Sequence, residues 1–160
     1  MSTAVRRIEH VVAVLVGLSF LLFGAAKFTG RGPSFKYIEY QSGFEWVDPL
    51  LTYATGVCEV AAGVLLLIPA SRAPWARLAG SALVVAIMIG AFALHLSPWL
   101  GVSTPTGTVD GAAAPWTASD FVSQRSSRQF VLSIVFAALG AWLLARISLH
   151  RPGPDTTRSN

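Results

Sequence analysis

Three ionisable side chains stand inside or beside long apolar stretches of this chain: Lys27, Glu59 and His95. A charge at the middle of a bilayer costs about 2.5–3.5 kcal/mol on insertion scales, so such groups face a protein interior and are paired or functional. Glu59 is the most central, in the stretch YATGVCEVAAGVLLLIP. A carboxylate there can balance a cation, accept hydrogen bonds or exchange a proton. Lys27 is the natural partner, ending the preceding apolar run FLLFGAAK. His95 closes a later run, ALVVAIMIGAFALHL. It reads either as an interfacial histidine bonded to a loop carbonyl or as a proton carrier beside a ligand.

The medium around these residues follows from composition. Of 160 residues, 53% are hydrophobic and only 12% are charged. A soluble domain averages about 25% charged residues, and one this size could not hide so much apolar surface. The apolar residues gather in four blocks, at about 8–28, 49–68, 75–96 and 129–149. Each approaches the roughly 20 residues that carry a helix across a bilayer core. The ten-residue alternating segments of a transmembrane barrel are missing. The expectation is an all-α, polytopic membrane four-helix bundle forming a single domain over 1–150. The first block is longer than the apolar region of about 7–15 residues in a signal peptide, so it reads as a retained helix.

Orientation follows the positive charges of the short loops. Arg6, Arg7, Arg72, Arg77, Arg146, Arg151 and Arg158 fall on one side. Arg31, Lys36, Arg125 and Arg128 fall on the other, among Glu39, Glu45, Asp48, Asp110 and Asp120. Both termini should therefore be cytoplasmic, with two long loops outside, at about 29–48 and 97–128. Trp75 fits an inner interfacial belt; Trp46, Trp99 and Trp116 fit an outer one, and Trp142 decides nothing. Asp48-Pro49 reads as a helix cap followed by proline in the first turn. The tail, 151–160, is polar and rich in Pro and Gly, and reads as disordered. The net charge of +4 needs no nucleic-acid partner, because the cytoplasmic lipid face accounts for it.

Helical spacing places Thr52, Gly56 and Gly63 on the face of Glu59, and Gly17 and Gly24 in a stripe with Lys27. Small residues let membrane helices approach closely, so Glu59 should point into a helix seam. By rise alone it lies about 8 Å deeper than Lys27, a gap that two long side chains can close directly or through water. His95 shares its face with Phe92, Met88 and Ser81. Cys58 is the lone cysteine, which excludes an intramolecular disulfide and a dithiol relay. His10, His95 and His150 belong to different blocks and form no metal-ligand pattern. Phosphate-binding loops, dinucleotide turns and nucleophile elbows are also missing.

The pieces FLLFGAAKF, GVCEVAAGVLLLIP, SRAPWARL and ALVVAIMIGAFALHL resemble the DoxX family of small four-helix bacterial membrane proteins. The resemblance runs over roughly residues 10 to 100. Its motifs are Gly24 with Lys27, Gly56 with Glu59 and Gly63, and Gly90 with His95; the last block is similar only in being apolar. It implies a multi-pass protein of the bacterial inner membrane, tied to membrane oxidoreductase systems. It implies no cofactor of the chain's own, so a bound quinone or a membrane or periplasmic redox partner would bring any electron chemistry.

Two functions stay open. In the first, the chain is an accessory subunit holding a quinone or similar lipophilic ligand in the outer half of the bundle, with Lys27 and Glu59 as floor and His95 with the third loop as mouth. In the second, it is a non-enzymatic scaffold or assembly factor whose outer loops bind a partner, and Lys27–Glu59 is a structural lock. Four helices with one central acid make a transporter the weaker third class, unless the protein oligomerises.

Overall fold

The computed structural model describes residues 3–29, 33–105 and 125–149 of the chain. Among them are five helices: α1 (Thr3–Lys27), α2 (Pro33–Ser42), α3 (Thr52–Leu67), α4 (Pro74–Leu96) and α5 (Arg128–Leu149). A wide helical turn, Val47–Leu51, leads into α3. Four segments are long and apolar enough to cross a membrane: Thr3–Lys27, Val47–Leu67, Trp75–Leu96 and Arg128–Leu149. They coincide with the four apolar blocks; the first helix begins several residues earlier than expected.

Proline sets several boundaries. Ile68 precedes Pro69 and turns to extended backbone (φ −63°, ψ 124°), the region that a residue before proline is pushed into. That ends α3. Pro74 opens α4, where its missing N–H costs nothing. Asp48 precedes Pro49 and is likewise extended (φ −117°, ψ 125°). Its carboxylate accepts the Thr52 hydroxyl at 2.5 Å, but it caps no backbone N–H: the residue before α3 is Leu51, so the expected Asp48 cap is corrected to a side-chain bond within the turn that leads into the helix.

Consecutive spans run antiparallel. Gly17 of α1 meets Gly63 of α3, and Gly24 meets Gly56. Gly80 of α4 meets Leu66 of α3, and Gly140 of α5 meets Val84 of α4. The ring closes where Phe20 and Phe23 of α1 meet Phe136 of α5 edge-on, with centroids 5.6 and 5.7 Å apart. Each span gives the common core a buried residue: Phe20, Leu66, Val84 and Leu143. The outward surface is equally apolar, with Leu22 70% and Ile89 62% exposed. Such a bundle suits lipid, where helices associate through close packing because burial against lipid tails gains little.

The first long loop is not structureless. Helix α2 lies within it, a correction to the expected plain loop at about 29–48. Ile38, Val47 and Leu100 form a second small core there, packed by Phe35, Tyr37, Leu51 and Leu94. Glu39 fastens the same segment by accepting the Asp48 N–H at 2.9 Å. Without those long-range contacts, PSFKYIEYQS has little to mark it as a helix. At the base of the third loop, Thr104–Pro105 pairs antiparallel with Arg125–Ser126. The central part of that loop, 106–124, with Asp110, Trp116 and Asp120, and the tail expected to be disordered, 151–160, lie outside the described residues. So do His150, Arg151 and Arg158.

Candidate functional site

The seam between α1 and α3 positions the polar centre. A Cβ on Gly24 would lie 2.8 Å from the Gly56 carbonyl oxygen, and one on Gly63 would lie 2.7 Å from the Gly17 carbonyl oxygen. Four glycines at seven-residue spacing, Gly17 and Gly24 facing Gly63 and Gly56, let the two backbones touch. Lys27 lies one turn beyond the Gly24–Gly56 contact and Glu59 one turn inside it, between the two glycine contacts, so their side chains reach toward each other across it.

There the Lys27 ammonium donates directly to Glu59 Oε1, forming a salt bridge. The expected depth gap is closed by the side chains themselves. Glu59 is buried at 6% exposure, alongside Thr52 and Gly56 on the same face of α3. The other carboxylate oxygen, Oε2, is buried and has no hydrogen-bond partner among the described residues. The Phe35 ring of α2 lies 5.9 Å from the Lys27 nitrogen, within cation–π range. Helix α2 therefore reaches the polar pair through an aromatic ring.

His95 stands apart from this pair in its bonding. Its Nδ1 lies 3.0 Å from the Gly101 carbonyl oxygen and donates to it. The ring meets Phe130 of α5 edge-on at 5.6 Å, and the residue is buried at 4% exposure. Gly101 has φ +75°, a left-handed turn that favours glycine. His95 thus clips the start of the third loop to the end of α4. This is the arrangement expected of an interfacial histidine.

Gly90 departs from the other motif glycines. It is exposed, and a Cβ placed there would meet nothing within 4 Å. It is not packed between helices of this chain, because it lies on the outward face of α4. The packing positions on that helix and its neighbour are Gly80 and Gly140 instead. Cys58 likewise faces outward.

A second polar cluster lies at the opposite end of the bundle. Arg146 Nε of α5 donates to Glu9 Oε1 of α1 at 3.0 Å. Arg77 of α4 donates to His10 Nδ1 of α1 at 2.6 Å. These four residues tie three helices together; the sequence marks Arg77 and Arg146 only as flanking charges and His10 only as outside any ligand pattern. The signal was an acid, Glu9, within a basic flank. Its use depended on knowing which helices are neighbours.

A model of the DoxX-like family matches residues 11–114. The match takes in Lys27, Glu59 and His95, and it ends within the third loop. No curated protein and no solved structure matches the chain.

Proposed function

The chain belongs to the DoxX-like family, and from that premise we propose that it is an accessory subunit of a membrane oxidoreductase system, holding a quinone or similar lipid-soluble molecule at the Lys27 end of the bundle. One observation carries this reading: Glu59 Oε2 is enclosed in a membrane span, beside an ammonium group, with no partner from the described chain. A quinone head carries polar oxygens on a flat apolar ring, which suits a polar floor within apolar walls. Lys27 and Glu59 would orient the head. His95, by holding Gly101, would shape the mouth. The electron chemistry would be supplied by the bound quinone.

The proposed setting is the bacterial cytoplasmic membrane, with both termini cytoplasmic. Among the described residues, Arg6, Arg7, Arg72, Arg77 and Arg146 lie at the Glu9 end, against Lys36, Arg125 and Arg128 at the other. That asymmetry supports the orientation through the positive-inside bias. The partner would be a membrane or periplasmic redox protein. The test is mild-detergent extraction followed by mass spectrometry of what co-purifies. A stoichiometric quinone, lost in a folded Glu59→Gln variant, is the expected result. A quinone-free protein with a constant protein partner would sink the ligand reading.

A second reading has its own support. The Lys27–Glu59 bridge is direct and continues the glycine seam, as a structural lock in a scaffold or assembly factor would. Swapping the two charges, Lys27→Glu with Glu59→Lys, separates the readings. A lock survives the swap; a ligand site oriented by the pair does not.

A further inference from the structure

We propose that the head group this site takes is a hydrogen-bond donor: the hydroxyl-bearing, reduced quinol form rather than the oxidised quinone. This rests on the reading of the Lys27 end as a ligand site, and narrows the ligand to one chemical class.

The argument starts from the carboxylate. Glu59 Oε1 receives the Lys27 ammonium, while Oε2 is buried without a partner among the described residues. A carboxylate in an ion pair only accepts hydrogen bonds. Inside an apolar bundle an unmet acceptor is unfavourable, and more so when charged. Oε2 therefore calls for a proton donor.

Five serine and threonine hydroxyls inside the described spans are already committed. Ser19 donates to the Leu15 carbonyl and Ser81 to the Arg77 carbonyl. Thr55 donates within its own helix, to the carbonyls of Leu51 and Thr52. Ser133 donates to the Phe130 carbonyl, and Thr52 to the Asp48 carboxylate. Each hydroxyl has a single proton to give. The adjoining seam is built from Gly24, Gly56 and Val60, which bring no side-chain donor. Backbone N–H groups there belong to helical turns. No described side chain supplies the donor that Oε2 lacks.

A quinone carbonyl presents only lone pairs. It suits the Lys27 ammonium but leaves Oε2 unmet and sets one oxygen against another. A quinol hydroxyl accepts from Lys27 and donates to Oε2 with the same oxygen. One group then satisfies both members of the pair. No electron or proton transfer is needed for this selection, only the difference between a hydroxyl and a carbonyl.

The test uses the wild-type, full-length protein in nanodiscs under anaerobic conditions. Three probes are compared by quenching of intrinsic tryptophan fluorescence: decylubiquinone, its quinol, and the di-O-methyl ether of that quinol. The quinol is expected to bind at least about tenfold tighter than either of the others, the scale of one hydrogen bond to a charged group. Equal binding of quinone and quinol, or tighter binding of the ether, overturns the proposal while leaving a ligand site in place. Binding of none of the three overturns both the proposal and the ligand-site reading, with water as the simplest donor to Oε2. In a folded Glu59→Gln variant the preference should shrink to within about threefold; a full preference there would also overturn the proposal. The three-probe comparison stands without that variant if it does not fold.

Discussion

Gly24 of α1 and Gly56 of α3 meet backbone to backbone: a Cβ on Gly24 would sit 2.8 Å from the Gly56 carbonyl oxygen and 2.9 Å from the Val60 nitrogen. Both obstacles are main-chain atoms, so neither can swing aside. The helices must separate to admit a methyl group, and the Lys27–Glu59 bridge, which spans the same contact, is stretched with them.

Gly24→Ala is therefore expected to destabilise the protein by about 1–3 kcal/mol, the usual cost of overpacking. Gly90→Ala, in open space, should change stability by less than about 0.5 kcal/mol. Thermal unfolding of both variants in the same detergent checks the contrast. Equal losses would contradict the described seam.

Removing one member of the ion pair should harm more than removing both. Lys27→Met leaves Glu59 buried without its cation and is expected to cost about 3 kcal/mol, the lower end for breaking a buried pair. The double variant Lys27→Met with Glu59→Leu should cost under about 1 kcal/mol, since polar contacts between membrane helices average about 0.6 kcal/mol. Reversible unfolding in mixed micelles gives both numbers and their coupling.

His95→Ala removes the bond to Gly101 and the ring contact with Phe130. A loss of about 1–2 kcal/mol is expected from those two contacts. Hydrogen exchange should quicken across residues 98–104 and stay unchanged in α1 and α3. Equal quickening in all three segments would mean that His95 supports the whole bundle rather than the third loop.

The proposed orientation can be read with thiol reagents. In a Cys58→Ser background, Gln41→Cys lies in α2 at the Lys27 end and Ser71→Cys lies between α3 and α4; both positions are exposed. A membrane-impermeant maleimide added to intact cells should label Gln41→Cys and spare Ser71→Cys. The reverse pattern would invert the protein in its membrane.

The four spans were legible because roughly twenty apolar residues in a row leave a helix few alternatives in lipid. The Lys27–Glu59 pair was legible for a related reason: depth along two adjacent antiparallel helices can be counted from sequence. Helix α2 was not, because its apolar residues are few and their partners come from the turn that opens the next span, Val47, and from the third loop, Leu100. The Glu9–Arg146 and Arg77–His10 contacts join the first helix to the last two, so helix order alone could not announce them. Gly90 shows the converse. It is a motif glycine like the packed ones, but which side of a helix meets a neighbour is settled by the whole bundle.

The direct bridge between the first two spans also bears on how the chain enters its membrane. Taken singly, each of these helices would carry one uncompensated charge into hydrocarbon, a cost of about 2.5–3.5 kcal/mol at mid-depth. Taken as a hairpin, with Gly17 and Gly24 already against Gly63 and Gly56, the pair enters electrically neutral. The first two spans are thereby suited to enter the bilayer as one neutral hairpin. A single lesion at Lys27 or Glu59 would carry its cost already at insertion, as one uncompensated charge.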